Sequence, residues 1–294
     1  MVTRTTTTAM AMGITTTPIT AMPTSTAPPA AAGTITTVAR IKATIMPGPG
    51  TTSTGTSTTT ITGTTTPITM AETCFLPLLC WLSPGFPIGA YAYSHGLEWA
   101  VEAGDIRDEA SLEAWLADIL HGGLGRNDAI LLCAAHRAAS AGDRALLDEA
   151  NDLALAFAGS AEFRLETAQQ GRSFLDAVRA AWPHSRLADL TAEIEEVALP
   201  VALGLASACH GLDLRATAQA YLTALAQNLI SAAIRLAPIG QTAGQRVLAR
   251  LVPGLAGLAD EALGLTLDDV GSATFRADLG SFRHETQYTR LFRS

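Results

Sequence analysis

From Ala71 onward, apolar residues recur at spacings of three and four positions, which is the period of an α-helix that buries one face. Alanine and leucine dominate these stretches and both favour helix, whereas no stretch alternates with the period of two expected of a strand. Gly and Pro positions, Pro253 among them, separate the stretches. The pattern predicts an all-α fold of about eight to ten helices in one domain, residues 70–294, with the clearest helices at 111–120, 129–139, 146–158, 163–181, 197–210, 216–236 and 240–251.

Residues 1–69 have a different composition: they consist mainly of Thr, Ala, Ile, Met, Pro and Gly, with no acidic or aromatic residue. Such a composition buries too little apolar surface to offset the entropy of ordering, so it predicts a disordered, low-complexity extension. A transit peptide is a weaker alternative, because the only basic residues there are Arg4, Arg40 and Lys42.

The extension also fits a reading-frame hypothesis. In a GC-rich gene, His and Asp codons read one nucleotide late become Thr and Ile or Met codons, so a His- and Asp-rich segment out of frame would give a sequence of this kind. On that hypothesis the natural start is Met70. The encoding DNA tests it, because its alternative frame over this stretch should then be rich in His codons.

The charge pattern and the cysteines limit the classes of partner. The net charge is -8 and every acidic residue lies at Glu72 or later, so the folded part would repel nucleic acid and anionic membranes. No apolar run approaches the ~20 residues that span a bilayer. The cysteines, at positions 74, 80, 133 and 209, form no Cys-x-x-Cys pair and are expected to be small buried residues in a reducing cytoplasm.

Motifs for catalysis are incomplete. The one lysine is Lys42, which removes Schiff-base and P-loop chemistry from the predicted domain; a nucleotide, if involved, would be bound by another protein. His284-Glu285 begins a zinc-protease motif, but Tyr288 stands where the second His is needed. The remaining histidines, at 95, 121, 136, 184 and 210, are scattered singly, which leaves weak nickel contact open. We expect no enzyme activity and no stably bound cofactor or metal.

Two segments are unusual for generic helix. Residues 82–100 combine Pro and Gly breaks with Tyr91 and Tyr93, as in a tight corner or a contact surface. Residues 275–294 interleave four arginines with four aromatic residues. This basic segment could fold back on the acidic body or become ordered on a partner, and the aromatic residues favour partner docking.

These segments belong to a set of four stretches that together resemble the UreF family of urease accessory proteins. The resemblance runs from about residue 75 to 294 and leaves out the Thr-rich extension. Its motif residues are Pro84, Gly89, Tyr93, Gly96 and Glu98 in the opening motif, Glu166 and Gly171 in the central one, Arg235, Pro238, Gly240 and Gln241 in the third, and Arg283, His284, Glu285, Gln287, Tyr288, Arg290, Leu291, Phe292 and Arg293 at the end.

The resemblance implies an all-helical, homodimeric, cytoplasmic chaperone for nickel insertion during urease maturation. Members bind the UreD/UreH accessory protein and then the UreG GTPase, which binds GTP, and the assembly passes Ni(II) to apo-urease. The terminal motif residues, Arg283 to Arg293, are expected to contact UreD/UreH. The alternative from residue pattern alone is a generic helical adaptor without a connection to urease.

Overall fold

The computed structural model describes residues 75–294; the predicted extension at 1–69, the Met70 start and Cys74 lie outside that range. The described part is helical and contains no strand, which confirms the all-α prediction. Its α-helices are α1 (Leu76–Trp81), α2 (Leu97–Glu102), α3 (Glu109–Gly122), α4 (Leu124–Ala141), α5 (Arg144–Ala156), α6 (Ala161–Ala181), α7 (Ser185–Thr191), α8 (Leu199–Cys209), α9 (Leu214–Leu236), α10 (Gln241–Ala262) and α11 (Phe275–His284), with short 3₁₀ helices at Ala90–Ala92 and Leu267–Asp269.

Helix boundaries follow from local capping chemistry. Asp143, Ser160 and Asp213 precede α5, α6 and α9, and each side chain accepts a hydrogen bond from a first-turn N–H that would otherwise lack a partner. Gly142 ends α4 in the left-handed conformation that glycine adopts without strain. The chain therefore turns at residues 142–143 and 211–213, between stretches of predicted helix.

The core is organised around α4, which packs against α3, α5, α8, α9 and α10. Its Ile130 and Leu132 are almost fully buried. Gly204 lets α8 approach closely, since a Cβ there would overlap the carbonyl oxygen of Leu132. Within residues 75–294, no helix combines the length and apolar character needed to cross a membrane.

Two sequence expectations are wrong. Pro253 does not mark a break but lies inside α10; it is exposed, as is Ala249 one turn earlier, so the carbonyl that Pro253 cannot pair can be hydrated instead. Of the three described cysteines, only Cys133 is buried, where burial raises the pKa of its thiol to about 11. Cys80 is exposed because it lies on the outer face of α1.

Candidate functional site

The tail, residues 275–294, folds back onto the beginning of the described chain. Its helix α11 packs against α2 through Ala277, Gly280 and Ser281, which are all buried. Gly96, which precedes α2, has a φ of 75°, and a Cβ at this position would lie 3.5 Å from the backbone nitrogen of Ser281. A glycine here thus permits both the left-handed turn and the close contact.

Glu98 of α2 binds the tail through its buried carboxylate. Its carboxylate is 7% exposed and accepts hydrogen bonds from the backbone N–H of Leu291 at 2.6 Å and of Phe292 at 2.8 Å. The ring of His284 lies between two acids, with Nε2 3.2 Å from Glu98 and Nδ1 2.6 Å from Glu162. The two backbone donors compensate part of the cost of burying the Glu98 carboxylate.

The last residue is held by the opening and central motifs. The carbonyl oxygen of Ser294 accepts hydrogen bonds from the backbone N–H of Ser94 at 3.0 Å and from the Ser94 hydroxyl. The Ser294 hydroxyl donates to Glu166 of α6 at 2.6 Å, and the imidazole of His95 lies 3.3 Å from the same carboxylate. His95 itself has a φ of 53°, a left-handed conformation uncommon for a residue with a side chain.

Arg235, near the end of α9, brings the third motif to the same place. Its guanidinium lies 3.9 Å from the ring centre of Tyr91 and 4.2 Å from that of Phe292, and it donates a hydrogen bond to the Tyr91 carbonyl at 2.9 Å. Tyr93, close by in sequence, donates its hydroxyl to Gln169 of α6. The planar guanidinium of Arg235, close to both aromatic rings, therefore connects α9 with the opening motif and with the tail.

The four motifs therefore meet in space, and the remaining motif residues set backbone geometry. Gly89 has a φ of 75°, and Gly171 lies where a Cβ would overlap the Val197 carbonyl. Pro238 lies in the corner between α9 and α10, which Gly240 and Gln241 then begin. Pro84 lines a cavity described below.

The predicted partner-contact residues of the tail divide into two groups. His284 and Phe292 are buried against the chain's own body, so folding back, the alternative that we did not favour, is what the structure shows for them. Arg290 and Gln287 also bond to the chain's own Glu162 and Glu102. Arg290 is nevertheless exposed. The other exposed residues of the predicted set are Arg283, Glu285, Tyr288, Leu291 and Arg293.

The outer face of α11 carries an apolar stripe that was not predicted from the sequence. Phe275, Leu279 and Phe282 are 75%, 38% and 53% exposed, and their spacing of four and three residues aligns them on one side of the helix. Tyr288 and Leu291, which follow the helix in sequence, are also exposed. The spacing was visible in the sequence, but which side of the helix faces outward was not.

A cavity of about 250 Å³ lies beneath the tail; its lining is mainly apolar but includes His95, Asp128, Glu166 and Tyr221. The Tyr221 hydroxyl donates to Asp128 at 2.5 Å, and burial raises the pKa of Asp128 to about 6. A second cavity of about 270 Å³ shares Tyr221 in its lining. Among residues 75–294, no three His, Cys, Asp or Glu side chains come together as a metal-binding group.

Comparison with known proteins shows which family this chain is similar to. A family model named UreF matches residues 106–252. The urease accessory protein UreF of Xanthobacter autotrophicus is 68% identical over 225 residues, which cover 76% of this chain and 93% of that protein. The protein of the same name from Azorhizobium caulinodans is 61% identical over 232 residues, covering 77% of this chain and all of that protein. The chain therefore belongs to the UreF family of urease accessory proteins.

Proposed function

We propose that this chain is a non-catalytic, homodimeric scaffold that acts in the cytoplasm during urease maturation. It binds UreD/UreH through the tail, then holds the UreG GTPase, and the assembly passes Ni(II) to apo-urease. The single observation that supports this most is the tail's two-sided character: its inner face is pinned to the body, and its outer face presents unpartnered apolar residues.

The outer face has the chemistry of a protein-binding surface. Phe275, Leu279 and Phe282 form one stripe, exposed Tyr288 and Leu291 follow it in sequence, and exposed Arg283 is the sequence neighbour of Phe282. Contiguous exposed apolar residues are uncommon on monomeric surfaces, and aromatic residues with Arg dominate the energetics of interfaces. This supports docking by the exposed tail residues and assigns the buried ones a different role.

The inner face would raise affinity by holding the outer face in a fixed position. Glu98 binds the backbone of Leu291, and Arg235 stacks on Phe292, so the exposed side chains that precede them are ordered before a partner arrives. A partner that meets an ordered surface loses less conformational entropy on binding. Buried His284 and Phe292 thus act on the partner through position rather than through contact.

GTP and nickel are assigned to other parts of the assembly. Without a P-loop lysine, this chain would leave GTP to UreG. Nickel would be cargo in transit: His95, Asp128 and Glu166, which line the cavity beneath the tail, would offer the ion nitrogen and oxygen contacts on its way. Family membership argues against the alternative of an adaptor with no urease connection.

The docking proposal is tested with a double variant of the outer face, Leu279→Ser with Phe282→Ser. Co-purification of UreD/UreH with this variant should fall at least tenfold, because two apolar contacts of about 1–2 kcal/mol each are lost. The control is Val252→Ser, which changes a residue of α10 that is 40% exposed. Circular dichroism should show equal helical content in all three proteins.

Deletion of residues 283–294 is a broader test, and so is Phe292→Ala with Arg290→Ala. Both should also reduce co-purification, but both disturb the fold of the tail itself. Undiminished binding by the Leu279/Phe282 variant would refute docking through the outer face. In cells, loss of the gene should leave urease protein present and without nickel; active urease in its absence would refute the wider proposal.

A further inference from the structure

A second group of side chains, apart from the tail, has unsatisfied polar atoms. His184 directly precedes α7 and His210 directly follows α8, and their ring centres lie 5.2 Å apart. The indole of Trp81 meets the His210 ring edge-on at 5.3 Å. We call these three residues the imidazole pocket. None of the motifs that converge on the tail contributes to it.

Each member of the imidazole pocket has a buried polar atom without a hydrogen-bond partner in the described part of the chain. These atoms are Nδ1 of His184, Nε2 of His210 and the indole Nε1 of Trp81. Only five such side-chain atoms occur in residues 75–294, and three of them belong to this one pocket. Leaving a buried polar atom unpaired costs about 1–3 kcal/mol, so the cluster indicates a ligand that these atoms share.

The chemistry of the two histidines favours a metal ion as that ligand. The unpaired atoms are ring nitrogens, Nδ1 of His184 and Nε2 of His210. Imidazole nitrogen is the commonest metal ligand among protein side chains.

The separation of the rings is also compatible with one shared ion. With metal–nitrogen bonds of about 2.0–2.1 Å, two imidazoles on one tetrahedral ion have ring centres about 5 Å apart. The observed value is 5.2 Å. Neutral imidazole suits Ni²⁺, Cu²⁺ and Zn²⁺, whereas Mg²⁺ and Ca²⁺ prefer oxygen ligands.

We propose that His184 and His210 bind one divalent transition-metal ion of borderline softness, with water in its other positions and the Trp81 indole N–H donating to a bound water. Two protein ligands hold an ion exchangeably rather than permanently. The site belongs to this chain alone, so it does not depend on docking of UreD/UreH and is tested without any partner.

The pocket contains its own reporter, because Trp81 lies 6.0 Å from Trp182 and both are adjacent to the histidines. The full chain, without a polyhistidine tag, is titrated with NiCl₂ while tryptophan fluorescence is followed. We expect saturable quenching with one ion per chain by calorimetry. Zinc chloride, whose filled d shell does not quench in this way, should compete and restore the emission.

The variants His184→Phe and His210→Phe keep a ring in the pocket but remove the lone pairs. Each should weaken nickel binding about tenfold or more, whereas His121→Phe, at an exposed histidine of α3, should not change it. Circular dichroism checks that the variants are folded. If they are not, chemical shifts of the imidazole protons in the unaltered protein, with and without zinc, give the same answer.

Two results would overturn the proposal. One is the absence of saturable quenching up to millimolar nickel, which would show that the two histidines do not hold the ion. The other is saturable binding that persists undiminished in both folded variants, or zinc-induced shifts at histidines other than His184 and His210, which would place the ion elsewhere. Neither result would bear on docking of the tail, which involves none of these residues.

Discussion

The backbone N–H of Phe292 donates a hydrogen bond of 2.8 Å to the carboxylate of Glu98, across 194 positions of sequence. The same carboxylate also accepts from Leu291 and lies next to His284. One buried charge on α2 thus fixes three points of the tail. The path of the outer face therefore depends on a residue that no partner needs to touch.

Glu98→Gln should destabilise the protein, because the amide keeps the shape of the side chain but loses the charge that two backbone N–H groups and the His284 ring face. Breaking one side of a buried charged network costs about 2–4 kcal/mol. Urea unfolding measures the loss, and faster hydrogen exchange at the amides of residues 291 and 292 localises it. Glu149→Gln, on the exposed face of α5, is the matched control. Equal stability of both variants would mean that the tail is held by its other contacts.

Arg235→Lys should loosen the contact between α9 and the tail. A lysine keeps the charge but cannot stack a planar group between Tyr91 and Phe292, so about 1–2 kcal/mol should be lost. Thermal unfolding and cleavage of the tail by a protease at low concentration both report it. Arg215→Lys alters a solvent-exposed pair with Asp260 and should change little. If the two variants behave alike, the stacking contributes no stability.

The helical framework was predictable because its signals are local. The predicted helix at 216–236 is α9, Leu214–Leu236, and Asp213 caps it, so period and capping residue agree within one stretch of sequence. Pro253 shows the limit of local rules, since a proline usually breaks a helix, yet here it lies inside α10 at an exposed position where the freed carbonyl can be hydrated.

The assembly of the site was not predictable in the same way. The sequence identified the four motifs but could not show that Glu98 meets Phe292 or that His284 turns inward, because each contact joins positions more than 180 residues apart. The tail's arginines and aromatic residues suit an interface with a partner and an interface with the chain's own body equally well. Only the packing of α11 on α2 separates the buried face from the exposed stripe.

Gly171 and Gly257 should respond oppositely to substitution by alanine. A Cβ at Gly171 would overlap the Val197 carbonyl and crowd the Ala198 backbone, so Gly171→Ala should cost about 1–3 kcal/mol or more as α6 and the start of α8 move apart. Gly257 lies inside α10, and a Cβ there would have no neighbouring atom within 4 Å, so Gly257→Ala should stabilise by about 0.5–1 kcal/mol. Urea unfolding of both variants measures these two changes in the free energy of unfolding. A neutral Gly171→Ala would show that this close approach is not required.

Asp128→Asn should stabilise the protein near neutral pH and lose that effect in acid. Burial raises the pKa of Asp128 from 3.8 to about 6, so in the folded state the ionised form is disfavoured. The destabilisation caused by ionised Asp128 is fully present above about pH 6. It disappears as the pH falls below about 4, because Asp128 is then protonated in both the folded and the unfolded state. A shift of about two units corresponds to about 2–3 kcal/mol.

The difference in unfolding free energy between Asp128→Asn and the unaltered protein, measured in urea between about pH 4 and pH 8, isolates this group from other titrations. Asparagine retains an acceptor for the Tyr221 hydroxyl, so the hydrogen bond survives the change. Asp118→Asn, at an exposed position of α3, should show no comparable pH dependence. A gain that stays constant from acid to neutral pH would indicate that Asp128 is ionised without penalty, and that the cavity beneath the tail is hydrated well enough to solvate a carboxylate.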